Sequence, residues 1–325
     1  MKRMLTLLLS AMLMLGVTGC SSAQSPSKIV KIGVVQLVEH DALDASYRGF
    51  VDGLKDAGFE DGKNIKIDFQ NAQGDPSNCV TIADKLVNDK SDLILAIATP
   101  AAQAVANKTS TIPTLVTAVT DPASAKLVQS NEKPGTNVTG TSDLNPIDKQ
   151  MELLLELVPD AKKVAMLYCS SEANSEFQVS VAKEQLKAKG VESIDATVTS
   201  ANEIQQVVQS LAGRADAIYC PTDNMIAEAM VTVSAIASEL KIPVIVGEPA
   251  VVDNGGLATY GVSYYDLGKL TAQMAVEIIK NGAKPAEMPI QYADGVELVL
   301  NQKTADALGL TFPQSLIDSA ARIVK

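Results

Sequence analysis

The sequence predicts an α/β protein of two doubly wound parallel-sheet lobes joined by a hinge that the chain crosses several times. Three observations predict it. Short β-branched runs alternate with helical stretches; the alternation runs through two rounds; and both rounds end in the same local phrase. In each, an Ile-Pro pair introduces a short apolar strand that runs into an acid-proline pair: Ile112-Pro113 to Asp121-Pro122, and Ile242-Pro243 to Glu248-Pro249.

The first round reads as strand 29–37, helix 43–57, strand 65–70, helix 79–88, strand 93–98, helix 101–107 and strand 114–118. The second reads as strand 163–168, helix 175–189, strand 191–196, helix 201–212, strand 217–220, helix 224–240 and strand 243–246. Strands alternating with helices of this length imply parallel sheets covered on both faces. Helix 43–57 places Tyr47, Phe50, Val51 and Leu54 on one face at helical spacing. Gly58 and Gly190 each follow a helix where a left-handed C-terminal residue is wanted. The stretch 135–142, Gly-Thr-Asn-Val-Thr-Gly-Thr-Ser, reads as the first crossing between lobes, residues 254–259 as the second, and Pro285–Pro289 as the third. The expected N-terminal lobe is 28–141 plus 259–287, and the expected C-terminal lobe 142–258 plus 288–325.

The N-terminus carries an export signature. Lys2 and Arg3 precede an apolar run, Leu5 to Val17, too short to span a bilayer comfortably, and the run ends in Val17-Thr18-Gly19-Cys20. Small residues before a cysteine, directly after an apolar core, resemble the lipobox of bacterial lipoproteins. Residues 1–19 therefore read as a signal peptide, Cys20 as the lipidated residue, and 20–27 as a polar tether holding the body off the membrane. Removing 1–19 takes away Lys2 and Arg3 and no acid, so the net charge of −11 becomes more negative still. Such a surface repels nucleic acid and anionic lipid, and no basic patch offsets it. Cys79, Cys169 and Cys220 remain after Cys20, an odd number that argues against a full disulfide framework. In a 2-1-3 strand order Cys169 and Cys220 end neighbouring strands, where free packed thiols are favoured over a bridge.

Enzyme signatures are missing: there is no Gly-x-Ser-x-Gly elbow, Walker loop or Gly-x-Gly-x-x-Gly. Neither a cofactor nor a metal is expected. Glu39-His40-Asp41 contains the one histidine, but adjacent side chains rarely converge on one ion, so a loop or ligand role is the better reading. In open parallel sheets ligands sit outside the carboxyl ends of the strands, and two such ends facing across a hinge make a cleft.

Several phrases together carry a family likeness: 71–75 (Asn-Ala-Gln-Gly-Asp), 96–103 (Ala-Ile-Ala-Thr-Pro-Ala-Ala-Gln), 117–122 (Thr-Ala-Val-Thr-Asp-Pro), 137–143 (Asn-Val-Thr-Gly-Thr-Ser-Asp), 221–224 (Pro-Thr-Asp-Asn) and 264–268 (Tyr-Tyr-Asp-Leu-Gly). From about Ile29 to the C-terminus the chain resembles the type I periplasmic-binding fold and, within it, the ABC-transporter substrate-binding lipoproteins of the tryptophan/tyrosine-binding kind. The resemblance implies an amino acid ligand, often aromatic (tryptophan, tyrosine or phenylalanine), ABC permease and ATPase subunits as partners, and a lipid-anchored place on the extracytoplasmic face of the cell membrane. A sugar-binding or sensory receptor protein of the same fold is the alternative. Sugar is disfavoured, because sugar sites want broad aromatic platforms and this chain has no Trp and 4% aromatic residues.

An α-amino acid needs donors for its carboxylate and acceptors for its ammonium. No arginine falls at a predicted strand tip, so Thr99, Pro100 and Ala101 are the candidate carboxylate site: Thr99 can cap the following helix, Pro100 suits its first position, and the free N–H groups attract an anion. Asp223 occupies the matching place in the second lobe, as helix cap or ammonium partner. Asp121 and Glu248 follow the last strand of each lobe, as turn acids or ligand groups, with Glu248 the better ammonium partner. Gln36, Tyr168, Asn174 and Ser175 point toward the cleft on topology. Thr117 and Ser142 belong to the phrases carrying the resemblance and complete the candidate set. Tyr264 near a crossing either stacks on an aromatic ligand or is a buried hinge residue.

Overall fold

Two sheets carry the structure, their central strands apolar along nearly their whole length because helices cover both faces. The computed structural model describes residues 29–325; the expected signal peptide 1–19, Cys20 and tether 20–27 lie outside the described residues. The chain first lays down β1 (Val30–Gln36), α1 (Asp41–Asp56), β2 (Ile65–Asn71), α2 (Pro76–Asn88), β3 (Leu93–Ile97), α3 (Thr99–Lys108), β4 (Thr114–Val119) and β5 (Val138–Ser142). It continues through α4 (Ile147–Leu157), β6 (Lys163–Cys169), α5 (Ala173–Ala188), β7 (Glu192–Val198), α6 (Ile204–Gln209), β8 (Ala217–Cys220), α7 (Asn224–Glu228), α8 (Met230–Glu239), β9 (Val244–Val246), α9 (Pro249–Asp253) and β10 (Ala258–Gly261). It closes with α10 (Tyr264–Asn281), β11 (Gln291–Tyr292), β12 (Glu297–Asn301), α11 (Gln302–Leu308), α12 (Gln314–Ser319) and β13 (Arg322–Val324).

The first sheet has the order β2-β1-β3-β4-β5-β11 and the second β7-β6-β8-β9-β10-β12-β13. The 2-1-3 order expected of doubly wound sheets holds in both. Every pairing is parallel except β10 with β12. In consequence Gln36, Ile97, Val119 and Ser142 end their strands along one edge of the first sheet, and Cys169, Val198, Cys220 and Val246 along one edge of the second. Cys79, Cys169 and Cys220 are buried free thiols, the latter two at the ends of adjacent strands.

The structure departs from the sequence reading at identifiable places. Residues 138–142 form a central strand rather than a crossing. Thr139 and Thr141 are fully buried because their hydroxyls are satisfied: Thr139 donates to the Met288 carbonyl at 2.6 Å, and Thr141 donates to Thr117 Oγ1 at 3.0 Å. Gly140 (φ 146°) is needed there, since a Cβ would sit 2.0 Å from the Val116 carbonyl oxygen. Helix α4 was not anticipated, although Ile147, Met151 and Leu154 bury at helical spacing. The single helix expected over 224–240 breaks at Ala229 into α7 and α8, and the helix expected over 201–212 forms as a 3-10 turn, Ala201–Glu203, running into the short α6 and ending at Gln209. The lobe boundaries shift as well. β10 belongs to the second sheet and β11 to the first, so the expected changes of lobe at 258/259 and 287/288 fall later, between Gly261 and Tyr264 and after Tyr292.

Between these crossings α10 returns to pack on α1, and close approach requires glycine. A Cβ on Gly49 would lie 2.0 Å from the Tyr265 carbonyl oxygen, and one on Gly268 2.0 Å from that of Ser46. The Ser46 hydroxyl donates to the Tyr264 carbonyl at 3.1 Å, which fixes the start of α10 beside the cleft. Asn145 ties two crossings together, its Oδ1 accepting from the Val262 amide at 2.8 Å.

Candidate ligand cleft

The two strand-end edges face each other across a narrow, largely closed cleft. The first sheet contributes His40 and Leu43 after β1, Ala118 and Thr120 at β4, and Asp143 after β5. The second contributes Asn174 in the first turn of α5, Thr222, Asp223 and Asn224 after β8, and Glu248 after β9, while Tyr264 opens α10 just past a crossing. Each lining residue thus lies at a strand's end or in the loop or first helical turn that follows, as the carboxyl-end rule expects.

Four carboxyl groups gather here, and they fall into two pairs. Asp223 caps α7, accepting from the Ile226 amide at 2.9 Å, and its other oxygen accepts from the Cys169 amide and the Ser175 hydroxyl, both at 2.7 Å. Glu172 accepts from the Asn224 amide (3.2 Å), Asn224 Nδ2 (2.6 Å), Asn174 Nδ2 (3.1 Å) and the Met225 amide (3.2 Å). These two acids are held by the second sheet's own backbone and amides. Asp143 and Glu248 are not. Asp143 Oδ2 accepts from the Tyr264 hydroxyl at 2.6 Å, but its Oδ1 has no partner within the protein. Glu248 stands at the start of α9 without capping it, and its Oε1 is likewise unpartnered. Asn174 Oδ1 is a third such acceptor. Asp143 and Glu248 are 2% exposed and Asn174 7%.

Burial governs the charge state of these groups. It raises the Asp143 and Asp223 carboxyls above the usual range. It pushes Glu172 up to about 7, with the neighbouring Asp223 charge adding to the effect. Burial likewise takes Glu248 to about 8, against the hydrogen bond with the Tyr264 hydroxyl and with help from the charges of Asp143, Asp223 and Glu172. Burial also lowers His40, opposed by its contact with Asn224 and by the charges of Asp44 and Asp41. Among the described residues, none of those lining the cavity is Lys or Arg, and no group of His, Cys, Asp and Glu is arranged to hold a metal ion.

Polar contacts join the two sides: His40 Nε2 lies 3.5 Å from Asn224 Oδ1, Asn254 Nδ2 donates to Asp41 at 3.3 Å, and Gln178 Nε2 donates to Thr120 Oγ1 at 3.3 Å.

Of the residues singled out from sequence, Asn174, Asp223, Glu248 and Tyr264 line the cavity, and Ser175 stands behind Asp223. The others have different occupations. Thr99 does not cap α3; Ala98 does, in a backbone conformation (φ 80°, ψ 153°) rarely open to a side chain, so Thr99 is already helical. Pro100 lies in the first turn as expected, but Thr99, Pro100 and Ala101 do not border the cavity. Thr117 belongs to a buried hydroxyl ladder with Thr141, and Ser142 donates to the Thr120 carbonyl at 2.6 Å. Asp121 is a turn acid, accepting from the Ser124 amide at 2.6 Å and Asn131 Nδ2 at 2.9 Å. Tyr168 turns to the far face of its strand, where its hydroxyl reaches Asp195 at 3.4 Å. Gln36 is buried, its amide donating to Asp44 and the Val38 carbonyl. Sequence reasoning missed Asp143, Glu172, Thr120, Thr222 and Asn224. Asp143 closes the phrase 137–143 that supplied Ser142, and recognising β5 would have marked it as a strand-end acid like Glu248.

A family profile described as "ABC transporter substrate binding protein" matches residues 31–324. The "Tyrosine-binding protein" of Clostridioides difficile (strain R20291) is 43% identical over 321 residues, 95% of this chain and 93% of that protein. A Streptococcus pneumoniae structure titled as an ABC domain in complex with L-Trp is 40% identical, with a TM-score of 0.88 over 91% of this chain and 100% of that one. A ligand-free, open substrate-binding protein from Clostridium difficile is 46% identical over the same shares, with a TM-score of 0.70. With its two parallel-sheet lobes and the cleft between their strand ends, the chain belongs to the substrate-binding proteins of ABC transporters and has the type I periplasmic-binding fold.

Proposed function

We propose that the cleft binds an aromatic amino acid whose ammonium is held by Asp143, Asn174 and Glu248. The observation that carries this reading is the set of three buried acceptor oxygens, unpartnered within the protein, around one cavity that no Lys or Arg lines. An ammonium has three N–H donors, one for each. Charge-assisted bonds of this kind contribute about 1.5–3 kcal/mol apiece. Tyr264 positions the two acids, its hydroxyl bonded to Asp143 and beside Glu248. Leu43 and Ala118 supply apolar wall. The ligands named for two relatives, tyrosine and L-Trp, support the aromatic class. The same named ligands do not favour the sugar alternative.

Because Asp143 follows the first sheet and Glu248 the second, one ammonium would bridge both lobes and draw them together about the crossings near 143–146, 262–263 and beyond 292. The fit to the L-Trp complex exceeds that to the ligand-free, open relative although the latter is nearer in sequence, which supports a closed arrangement here. The chain has no Trp, so bound tryptophan would be the one indole in the complex. Its emission and anisotropy are expected to change on titration, tyrosine should compete, and small-angle scattering should show a smaller radius with ligand. If none of these responds to any aromatic amino acid, the assignment fails.

Glu248 separates binding from stability. Its ordinary value is 4.5, and in the fold it rises to about 8. The folded protein keeps a proton that the unfolded chain has released, so this contribution is complete below 4.5 and is lost as pH rises toward 8. Glu248→Gln is therefore expected to be more stable than the parent at pH 8 in thermal unfolding, yet to bind tryptophan at least about tenfold more weakly. A variant that is less stable, or that binds as well, contradicts the role.

We further infer that the protein works on the extracytoplasmic face, held by lipid on Cys20 and a polar tether, and delivers its ligand to permease and ATPase subunits. The lipobox-like run up to Cys20 supports this. Cys20→Ser should move the protein from the membrane fraction to the soluble one; retention on membranes would refute the anchor.

A further inference from the structure

The donors and acceptors around the cavity are unequally committed. Thr222 donates its hydroxyl to Gln178 Oε1 at 2.7 Å, Asn224 Nδ2 donates to Glu172 at 2.6 Å, and the Tyr264 hydroxyl donates to Asp143 at 2.6 Å. Asn174 Nδ2 serves both Glu172 and the Thr222 carbonyl. The lining side-chain amides and hydroxyls are thus spent on neighbours, whereas acceptor oxygens on Asp143, Asn174 and Glu248 remain uncommitted. No Lys or Arg lines the cavity, and the helix start at Thr99 that would suit an anion lies outside it. A ligand carboxylate placed here meets buried acids and finds few donors; a ligand ammonium meets three acceptors.

From this asymmetry we propose that the cleft recognises the primary ammonium on an aromatic body and does not require the carboxylate, so that decarboxylated aromatic amines are ligands of the same site. The physical reason is differential: a buried acceptor left without a donor costs the full desolvation of that group, whereas the side-chain amides and hydroxyls of Asn174, Thr222, Asn224 and Tyr264 keep their partners when a carboxylate is missing. The ammonium also joins Asp143 of the first lobe to Asn174 and Glu248 of the second, so an amine alone suffices to close the cleft. The proposal rests on the reading of this cavity as the ligand site.

The test compares three compounds of one skeleton on the unmodified protein: L-tryptophan, tryptamine and indole-3-propionate, by indole anisotropy and thermal shift, with competition against L-tryptophan. Tryptamine is expected to bind within about tenfold of L-tryptophan and to displace it, while indole-3-propionate binds at least about a hundredfold more weakly. Tryptamine falling outside that tenfold, failing to compete, or being matched by indole-3-propionate overturns the proposal and leaves the amino acid reading standing. Tryptamine binding where L-tryptophan does not would sustain the proposal and overturn the amino acid reading. Failure of both to bind overturns both.

Discussion

The cleft depends on one constraint: carboxyl groups are buried where, among the described residues, no Lys or Arg lines the cavity to pair with them. Burying an ionised carboxylate without a partner costs several kcal/mol or more, and proteins relieve that cost by raising the group's pKa or providing hydrogen bonds. Both remedies are used here. Asp223 and Glu172 receive amide and hydroxyl donors from the second lobe. Asp143 receives the Tyr264 hydroxyl, with further hydrogen bonding from Thr120 and the backbone, Glu248 stands beside that hydroxyl, and each acid keeps one oxygen without a partner in the protein. That incomplete satisfaction is the feature of the cleft on which the proposed ammonium site rests.

The fold makes such a site possible by its topology. Parallel strands point all their carboxyl ends the same way, and two such sheets facing each other bring loop residues from both into one small space. The chain must then pass repeatedly between the sheets, and the passages are tightly built. Gly49 and Gly268 let α10 lie against α1, and Asn145 binds the backbone of the neighbouring passage. Tyr264 begins α10 directly after a passage, so the residue bonded to Asp143 is anchored where the chain crosses between the sheets.

How much of this was legible in the sequence follows from the type of signal each element carries. Strands such as Leu93–Ile97 announce themselves as apolar runs, and the left-handed glycines Gly58 and Gly190 mark helix ends without ambiguity. β5 was illegible because its burial is achieved by Thr139 and Thr141, whose polarity reads as surface until their hydroxyl partners are known. Losing β5 meant losing Asp143. Tyr168 was placed near the cleft by topology but turns away, because strand periodicity tells which residues share a face and not which face meets the ligand. Asp223 and Glu248 were legible, since an acid just after a buried strand in such a fold stands at the ligand edge. Their difference, one satisfied and one not, belongs to three-dimensional contacts alone.

If the uncommitted acids hold an ammonium, the ligand must decide whether they stay ionised when the cleft closes. Buried in the closed cleft without a cation, Glu248 is raised to about 8 and takes a proton near neutral pH, whereas an ammonium beside it favours the ionised form. Titration calorimetry with L-tryptophan in buffers of different ionisation enthalpy at pH 7 measures the protons exchanged. The account predicts no uptake of protons on binding, because the ammonium keeps Glu248 ionised as the cleft closes over it; an uptake, the result of burying these carboxyls without a cation beside them, would contradict the claim that they receive the ligand's ammonium.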